Sequence, residues 1–480
     1  ADFPANDMER VEFLIGPQGT LYGAGTLGGA IRYIPKRPQF DAVSGEVRAD
    51  LYNYKYGKGI STDTGMTVNL PLTDRLAVRG SIDYLNDRGF IDQPYALRGP
   101  DVGLVNPNDF TGTNFKRLKD VNYVETVSAR AAVRWKPIDA IDLNLTYYYQ
   151  NQETGGRQFS SYLLGQSPLL DSNGDLGIFP APIGKYESAL RVNEPNKREN
   201  QLLALEAYID LDFAELTSAT GYSKFKSIGN RDQTDLLITL EYSYEAFPEF
   251  TARTLEEDKE ETWTQEVRLV SKGEGPLNWI LGGFYNQSKT SGSSKEFTPY
   301  LDRYFGTDYP ENLEYYSVGR SKLTEVAAYG EIGYQITPAW QVTVGGRYYK
   351  YKSRFAQAVD LPLLNVAFGG REPGVIILDF SEYTQKDDGF LWKVNSSYKF
   401  SPDAMVYATA SKGYRIGGRN PLTLCENTGG NQNVCAQPDE LEYSPDETTN
   451  YEVGFKTQWF NRKVTLNGAL YYIDWSKPQL

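Results

Sequence analysis

"TVSARAAVRWKPIDAIDLNLTYYYQ", residues 126 to 150, holds two runs of alternation joined by the short connection KPIDA. Val127, Ala129, Ala131, Val133 and Trp135 alternate with Thr126, Ser128, Arg130 and Arg134; after KPIDA, Ile141, Leu143, Leu145, Tyr147 and Tyr149 repeat the pattern. A period of two places one set of side chains on each face of a strand, one apolar and one polar.

The same signature runs from residue 45 to the end of the chain. It recurs in Val47, Ala49 and Leu51, in Leu203, Leu205, Ala207, Ile209 and Leu211, in Val326, Ala328, Ile332 and Tyr334, and in Tyr451, Val453, Phe455 and Trp459. The count is about fifteen strands of near ten residues, the length a tilted strand needs to cross a bilayer. Every second connection is very short: TDR at 73–75, KPIDA at 136–140, FAE at 213–215, ITPA at 336–339, SPD at 401–403 and FNR at 460–462. The intervening ones are long, at 87–123, 151–199, 227–261, 289–322, 353–388 and 413–448. Short turns on one side and long loops on the other are the pattern of an outer-membrane barrel. Aromatics near strand ends, among them Trp279, Trp340, Tyr348, Trp392 and Trp459, suit interfacial girdles.

The expected fold is therefore all-β, a transmembrane antiparallel barrel whose apolar face meets lipid and whose polar face lines the lumen. Lumen candidates are Glu266 with Arg268, Glu325 with Glu331, Arg347, and Glu452 with Lys456. Free sheet edges are costly in a membrane, so further strands are expected beyond the roughly fifteen in this sequence.

Composition narrows the function. The net charge of −13 argues against a nucleic-acid partner. Histidine is absent, which excludes His-based catalysis and His metal sites, and no other catalytic constellation is visible. No cofactor and no metal site is expected. DSNGDLG at 171–177 starts like a calcium loop, but Leu176 stands where glycine is needed and Pro182 where the bidentate Glu belongs. The acidic run LEEDKEE at 255–261 reads as a solvated face. Cys425 and Cys435 bracket a polar loop; a disulfide formed in an oxidising compartment and a pair of unlinked thiols are the two readings, and the first is preferred.

Gly23 to Gly28, GAGTLG, matches the dinucleotide fingerprint letter by letter. The context fails: Gly16-Pro17 ends the preceding strand early, and Pro35 and Pro38 forbid a useful helix afterwards.

The surrounding stretch, MERVEFLIGPQGTLYGAGTLGGAIRYIPKRP, closely resembles the end of the plug domain of TonB-dependent outer-membrane receptors. The resemblance is carried by Glu9, Arg10, Val11 and Glu12, by Gly16 and Pro17, by Tyr22 and Gly23, by Gly28 and Gly29, and by Ile31, Ile34, Lys36 and Pro38. SKGYRIGGRNP at 411–421 and ETTNYEVGFKTQWF at 447–460 resemble barrel segments of the same family. The resemblance implies residues 1–40 as the end of a plug and 41–480 as part of a 22-stranded barrel. A signal peptide, a TonB-contacting segment (the TonB box) and most of the plug would precede residue 1.

The implied function is active uptake of a scarce small molecule across the outer membrane of a Gram-negative bacterium. Partners would be TonB with its inner-membrane motor complex, outer-membrane lipid and lipopolysaccharide, and a ligand that is an iron chelate or a sugar. A ferric siderophore is the family's most frequent ligand; oligosaccharide or cobalamin uptake and a passive porin are the alternatives. Gly16, Gly19, Gly23, Gly28 and Gly29 would serve the plug's turns. Ile15 stands where the family often carries Arg, which leaves Arg10, Arg32, Lys36 and Arg37 as candidates to pair with Glu325, Glu331 or Glu452. Tyr162, Tyr242, Tyr244, Tyr300, Tyr304, Tyr315 and Tyr316 are loop aromatics able to stack on a ligand or on one another.

Overall fold

The computed structural model describes residues 6–99, 115–160, 183–234, 251–420 and 440–479, the backbone of 168–170 and 176–178, and the single residues Cys425 and Gln437. A two-stranded hairpin comes first: β1 (Met8–Ile15) and β2 (Gly29–Pro35), with the one-turn helix α1 (Gly19–Tyr22) between them. Fifteen strands then form one sheet: β3 (Ser44–Tyr52), β4 (Ser61–Pro71), β5 (Leu76–Asp87), β6 (Val124–Ile138), β7 (Ile141–Thr154), β8 (Asn196–Asp210), β9 (Ala214–Asp232), β10 (Arg253–Ser271), β11 (Leu277–Phe297), β12 (Leu313–Thr337), β13 (Trp340–Asp360), β14 (Ser381–Ser401), β15 (Ala404–Arg415), β16 (Asp446–Trp459) and β17 (Val464–Ser476). Each pairs antiparallel with the next, so the sheet is a simple meander with β3 and β17 at its edges.

The register shows how the alternation is used. Val78 lies opposite Val133, Val133 opposite Leu145, and Leu145 opposite Leu205, so one apolar row crosses four strands. Val133, Leu145 and Leu205 are each exposed. On the other face Arg79, Arg130, Asn144, Thr146 and Gln150 are buried. Apolar outside and polar inside inverts a water-soluble protein and is what a lipid-facing wall requires.

The sheet curls around the hairpin. Residues 6–28 of the hairpin hydrogen-bond with β5 and β6 at one end of the strand order and with β15 and β16 at the other. Between hairpin and wall, Asn69 receives the backbone N–H of Gln39 and donates to the carbonyls of Gln39 and Ala42, fixing the chain where it passes from one to the other.

Several long connections are shorter than the sequence indicates. The runs 227–261, 289–322 and 353–388 shrink to 233–252, 298–312 and 361–380, because the flanking strands continue into them. Strand β12 has 25 residues and β11, β13 and β14 have 21 each, about twice the length that crosses a bilayer. LEEDKEE is part of β10, paired on both sides. Beyond the lipid belt both strand faces meet water, so polar alternates with polar and the periodic signal vanishes. Two short helices, α2 (Leu301–Tyr304) and α3 (Pro362–Gly369), close a small apolar cluster of Ala252, Leu301, Tyr309, Leu313 and Leu363 above β12. Residues 171–175 and 182, on which the calcium question turned, lie outside the described residues.

Candidate functional site

The hairpin in the lumen is held at two places by unlike means. Near its ends the link is ionic. Asp7, just before β1, accepts hydrogen bonds from Arg79 of β5 and Arg130 of β6, at 2.8 Å from the Arg79 Nε and 3.0 Å from the Arg130 Nη1. All three side chains are buried. Arg130 also donates to the Lys36 carbonyl at 2.8 Å and Arg134 to the Pro38 carbonyl at 3.3 Å. Arg37 reaches Glu206 at 3.3 Å and donates to the Tyr208 hydroxyl.

At its tip the hairpin is seated by backbone groups and close packing. Gly16 donates to the Gly28 carbonyl and Gln18 to the Thr26 carbonyl, which folds residues 16–28 into a compact lobe carrying α1. Gly25 donates to the Tyr414 carbonyl at 3.0 Å; Ser411 and Thr448 hydroxyls donate to the carbonyls of Pro17 and Leu27 at 3.5 and 3.3 Å. Thr20 donates to Glu331 at 3.2 Å, and Lys393 holds the same carboxylate at 3.4 Å.

Beneath the lobe lies a buried platform. Arg347 pairs with Glu325 at 3.4 Å, Tyr414 donates to Glu325 at 3.1 Å, and Tyr349 stacks on Tyr414 with centroids 3.8 Å apart. Gly23 rests on this platform: a Cβ there would come within 2.8 Å of the Arg347 guanidinium, and its φ of 75° is one that side chains disfavour. Gly29 is equally constrained, since a Cβ would stand 2.2 Å from the Leu14 carbonyl oxygen. Gly16 turns the chain out of β1 and Gly19 opens α1 against the Lys412 backbone. Gly28 has open space around it, so neither packing nor a positive φ requires glycine there.

The expected pairing of hairpin cations with three wall glutamates is corrected. Arg10 bonds to Glu9 and Glu12, and Arg32 to Glu12, all on the hairpin's own exposed face. Lys36 contributes its backbone, and Arg37 alone of the four reaches a wall carboxylate, Glu206. Glu325 is taken by Arg347, Glu331 by Thr20 and Lys393, and Glu452 by Tyr407 at 2.6 Å. A buried acid needs a partner at once, and wall cations one or two strands away are nearer than those of a slender hairpin. Asp7 is the residue that sequence reading missed. The signal was the column Arg79, Arg130 and Arg134 on the polar face of adjacent strands.

At the long-loop end Arg98, Lys116, Arg191 and Arg253 line a cavity of about 450 Å³. Burial pushes the Arg191 guanidinium down to about 10. Of the loop tyrosines, Tyr300 receives the Arg303 guanidinium on its ring, Tyr304 stacks edge-on with Phe305, and Tyr316 packs on the apolar cluster above β12. Tyr315 lies beside it in β12 and is partly buried. Tyr162, Tyr242 and Tyr244 lie outside the described residues. Cys425 is disulfide-bonded; Cys435, the only other cysteine of the chain, is also outside them.

A meander of outward-apolar strands wrapped around a polar-seated hairpin defines a plugged outer-membrane-type barrel. Residues 69–478 match the family model described as TonB dependent receptor-like, beta-barrel, and the chain belongs to that family. Among solved structures it is similar to the ferric yersiniabactin uptake receptor FyuA from Yersinia pestis, with TM-score 0.68 and 16% identity over 97% of this chain and 60% of that one. It is similar also to the siderophore receptor PiuA from Acinetobacter baumannii, with TM-score 0.61 and 15% identity over 97% and 62%. The copper transporter OprC matches with TM-score 0.60 and 12% identity over 98% and 60%. At these identities the likeness is one of fold, and the chain spans about three-fifths of the length of the structures it matches.

Proposed function

We propose that residues 1–40 are the end of a plug domain, that 41–480 form part of the barrel wall, and that the whole protein imports a scarce ligand across the outer membrane of a Gram-negative bacterium, driven through TonB and its inner-membrane motor. The observation that carries this reading is the hairpin seated in the lumen by polar contacts to strands at both ends of the sheet order. The polar groups of such a seat can be taken over by water as the hairpin shifts, whereas an apolar seat would resist release. A passive porin needs no such hairpin.

The ligand we propose is a ferric siderophore. A cavity lined by four cations at the long-loop end suits an anionic iron chelate, and two of the similar structures are named as a ferric yersiniabactin uptake receptor and a siderophore receptor. Oligosaccharide or cobalamin would use the same hairpin movement but gives no reason for the cationic lining. The test is protein abundance in source cells with and without iron, followed by radio-iron uptake from siderophores in cells lacking the receptor and in cells carrying it. Induction by iron starvation, with uptake that needs both the receptor and a proton-motive force, is the expected result. Unchanged abundance and receptor-independent uptake would overturn the ligand assignment.

A further inference from the structure

Residues 188–195 lead into β8 without forming a strand, and all of them except Asn193 and Pro195 are buried. A buried stretch outside any ladder must find acceptors for its N–H groups elsewhere. One carboxylate serves two of them: Asp232, the last residue of β9, accepts the backbone N–H of Arg191 at 2.6 Å and that of Val192 at 2.8 Å on the same oxygen, Oδ2. Its Oδ1 accepts the N–H of Thr234 at 3.0 Å, and its own N–H donates to Glu194 at 2.9 Å. Glu194 is held in turn by the Arg157 guanidinium through two hydrogen bonds of 2.6 and 2.7 Å. The Arg191 carbonyl accepts the N–H of Leu97 at 2.8 Å, so both backbone groups of Arg191 are committed.

The side chain of Arg191 therefore leaves the segment from a fixed point. Its guanidinium lies over the Phe115 ring, 4.8 Å from the centroid, and lines the cavity of about 450 Å³ with Arg98, Lys116 and Arg253. Neither Asp232 nor Glu194 lines that cavity. Keeping these groups charged is costly: burial pushes the Asp232 carboxyl up to about 6 against the pull of its N–H donors, and the Arg191 guanidinium down to about 10 although Asp232 and Tyr95 favour its charge. A loop closed by neutral groups would avoid both costs. What the charged groups add is a cation held at one place in the cavity wall.

We propose that Asp232 and Glu194 are positioning residues for ligand capture: they set the turn at 191–192, and the turn presents the Arg191 guanidinium to an anionic group of the ligand. The guanidinium fork matches paired oxygens such as those of a carboxylate or a phosphate. Holding it in place beforehand spares the cost of ordering a long side chain on binding. This role rests on the cavity being the ligand site, as given under the proposed function. Charge and position pull in opposite directions at Asp232. Removing a carboxylate near a cationic cavity strengthens anion binding if charge alone counts, and weakens it if the turn is what matters. An asparagine there keeps the shape, but its NH2 must face at least one of the three N–H donors.

The test is calorimetric titration of the full-length protein in mild detergent with inorganic pyrophosphate, a probe of anion recognition that does not presuppose a siderophore. Heat-modifiable gel mobility verifies the fold of each variant. R191Q should weaken binding about tenfold, the weight of a hydrogen bond to a charged group. D232N should weaken it by about three- to tenfold and E194Q by about twofold, within the cost of ordering one long side chain. Because the acids act through Arg191, D232N combined with R191Q should bind no more weakly than R191Q alone; a loop merely held together by Asp232 would lose affinity additively. If D232N is not recovered folded, E194Q takes its place in the same comparison, since its partner Arg157 is partly open to water. No binding to the wild type, unchanged or tighter binding in the folded acid variant, or an additive loss in the double variant would each overturn the proposal. Iron induction and uptake bear on the ligand alone, so their failure with the pyrophosphate pattern intact would refute the siderophore assignment and leave the positioning role standing.

Discussion

The two attachments of the lumen hairpin differ in kind. The Asp7 clasp puts one carboxylate between two buried guanidiniums of the wall, whereas the lobe at 16–28 sits through backbone hydrogen bonds and the fit of Gly23 on Arg347. The clasp is all-or-none: removing either side leaves a buried charge without its counter-charge. The lobe is graded, since any single contact can go while the others remain. The hairpin is thus held by one cooperative attachment and one graded one.

The largest effect should come from the clasp. Asp7→Asn leaves Arg79 and Arg130 uncompensated, and the hairpin should open more easily by about 3–5 kcal/mol, the range for breaking a buried pair from one side; hydrogen exchange of residues 8–35 in the full-length protein measures it. If Arg79 and Arg130 are both replaced by Gln as well, most of that loss should return, because the orphaned charges are gone. Next is the lobe: Gly23→Val combines a backbone conformation reserved for glycine with collision against Arg347, costing about 1–3 kcal/mol and raising exchange at residues 19–28 more than in β1. A smaller change is expected for Thr20→Val, about 1 kcal/mol for one hydrogen bond, because Lys393 continues to hold Glu331.

The smallest effect should be at Glu12, although it has two arginine partners. The hydrogen bond from Arg10 holds its carboxyl below the usual carboxylate range. A depressed pKa contributes stability above the ordinary value and loses it as pH falls through the lowered one. This pair is reached by water, with Arg10 half exposed, and screening leaves such ion pairs little weight, so Glu12→Gln should leave hairpin exchange unchanged from neutral pH down through the carboxylate range. A marked acid dependence removed by that substitution would shift weight from the clasp to the hairpin surface.

What could be read in advance followed where water and lipid alternate across a strand. Val127 to Trp135 and Ile141 to Tyr149 announced β6 and β7 because one face is apolar and the other not. The outer halves of β10 to β14 were legible only as loops, since above the belt polar alternates with polar, as where Glu257, Lys259 and Glu261 alternate with Glu256, Asp258 and Glu260. The hairpin itself was carried by resemblance to a family motif and not by periodicity. Its wall partners were not legible, because pairing across the lumen depends on which strand a 15-stranded sheet brings nearest. Glu325 was named as a lumen carboxylate, but its commitment to Arg347 and Tyr414 is set by the curvature of the wall.

The most direct test of the two-attachment account is hydrogen exchange across residues 8–35 of the full-length protein in outer membranes, comparing Asp7→Asn with Glu12→Gln. The account predicts exchange faster by about 100-fold or more in the first and unchanged in the second. Equal protection in both variants would contradict it, placing the hold on the hairpin somewhere other than the buried clasp.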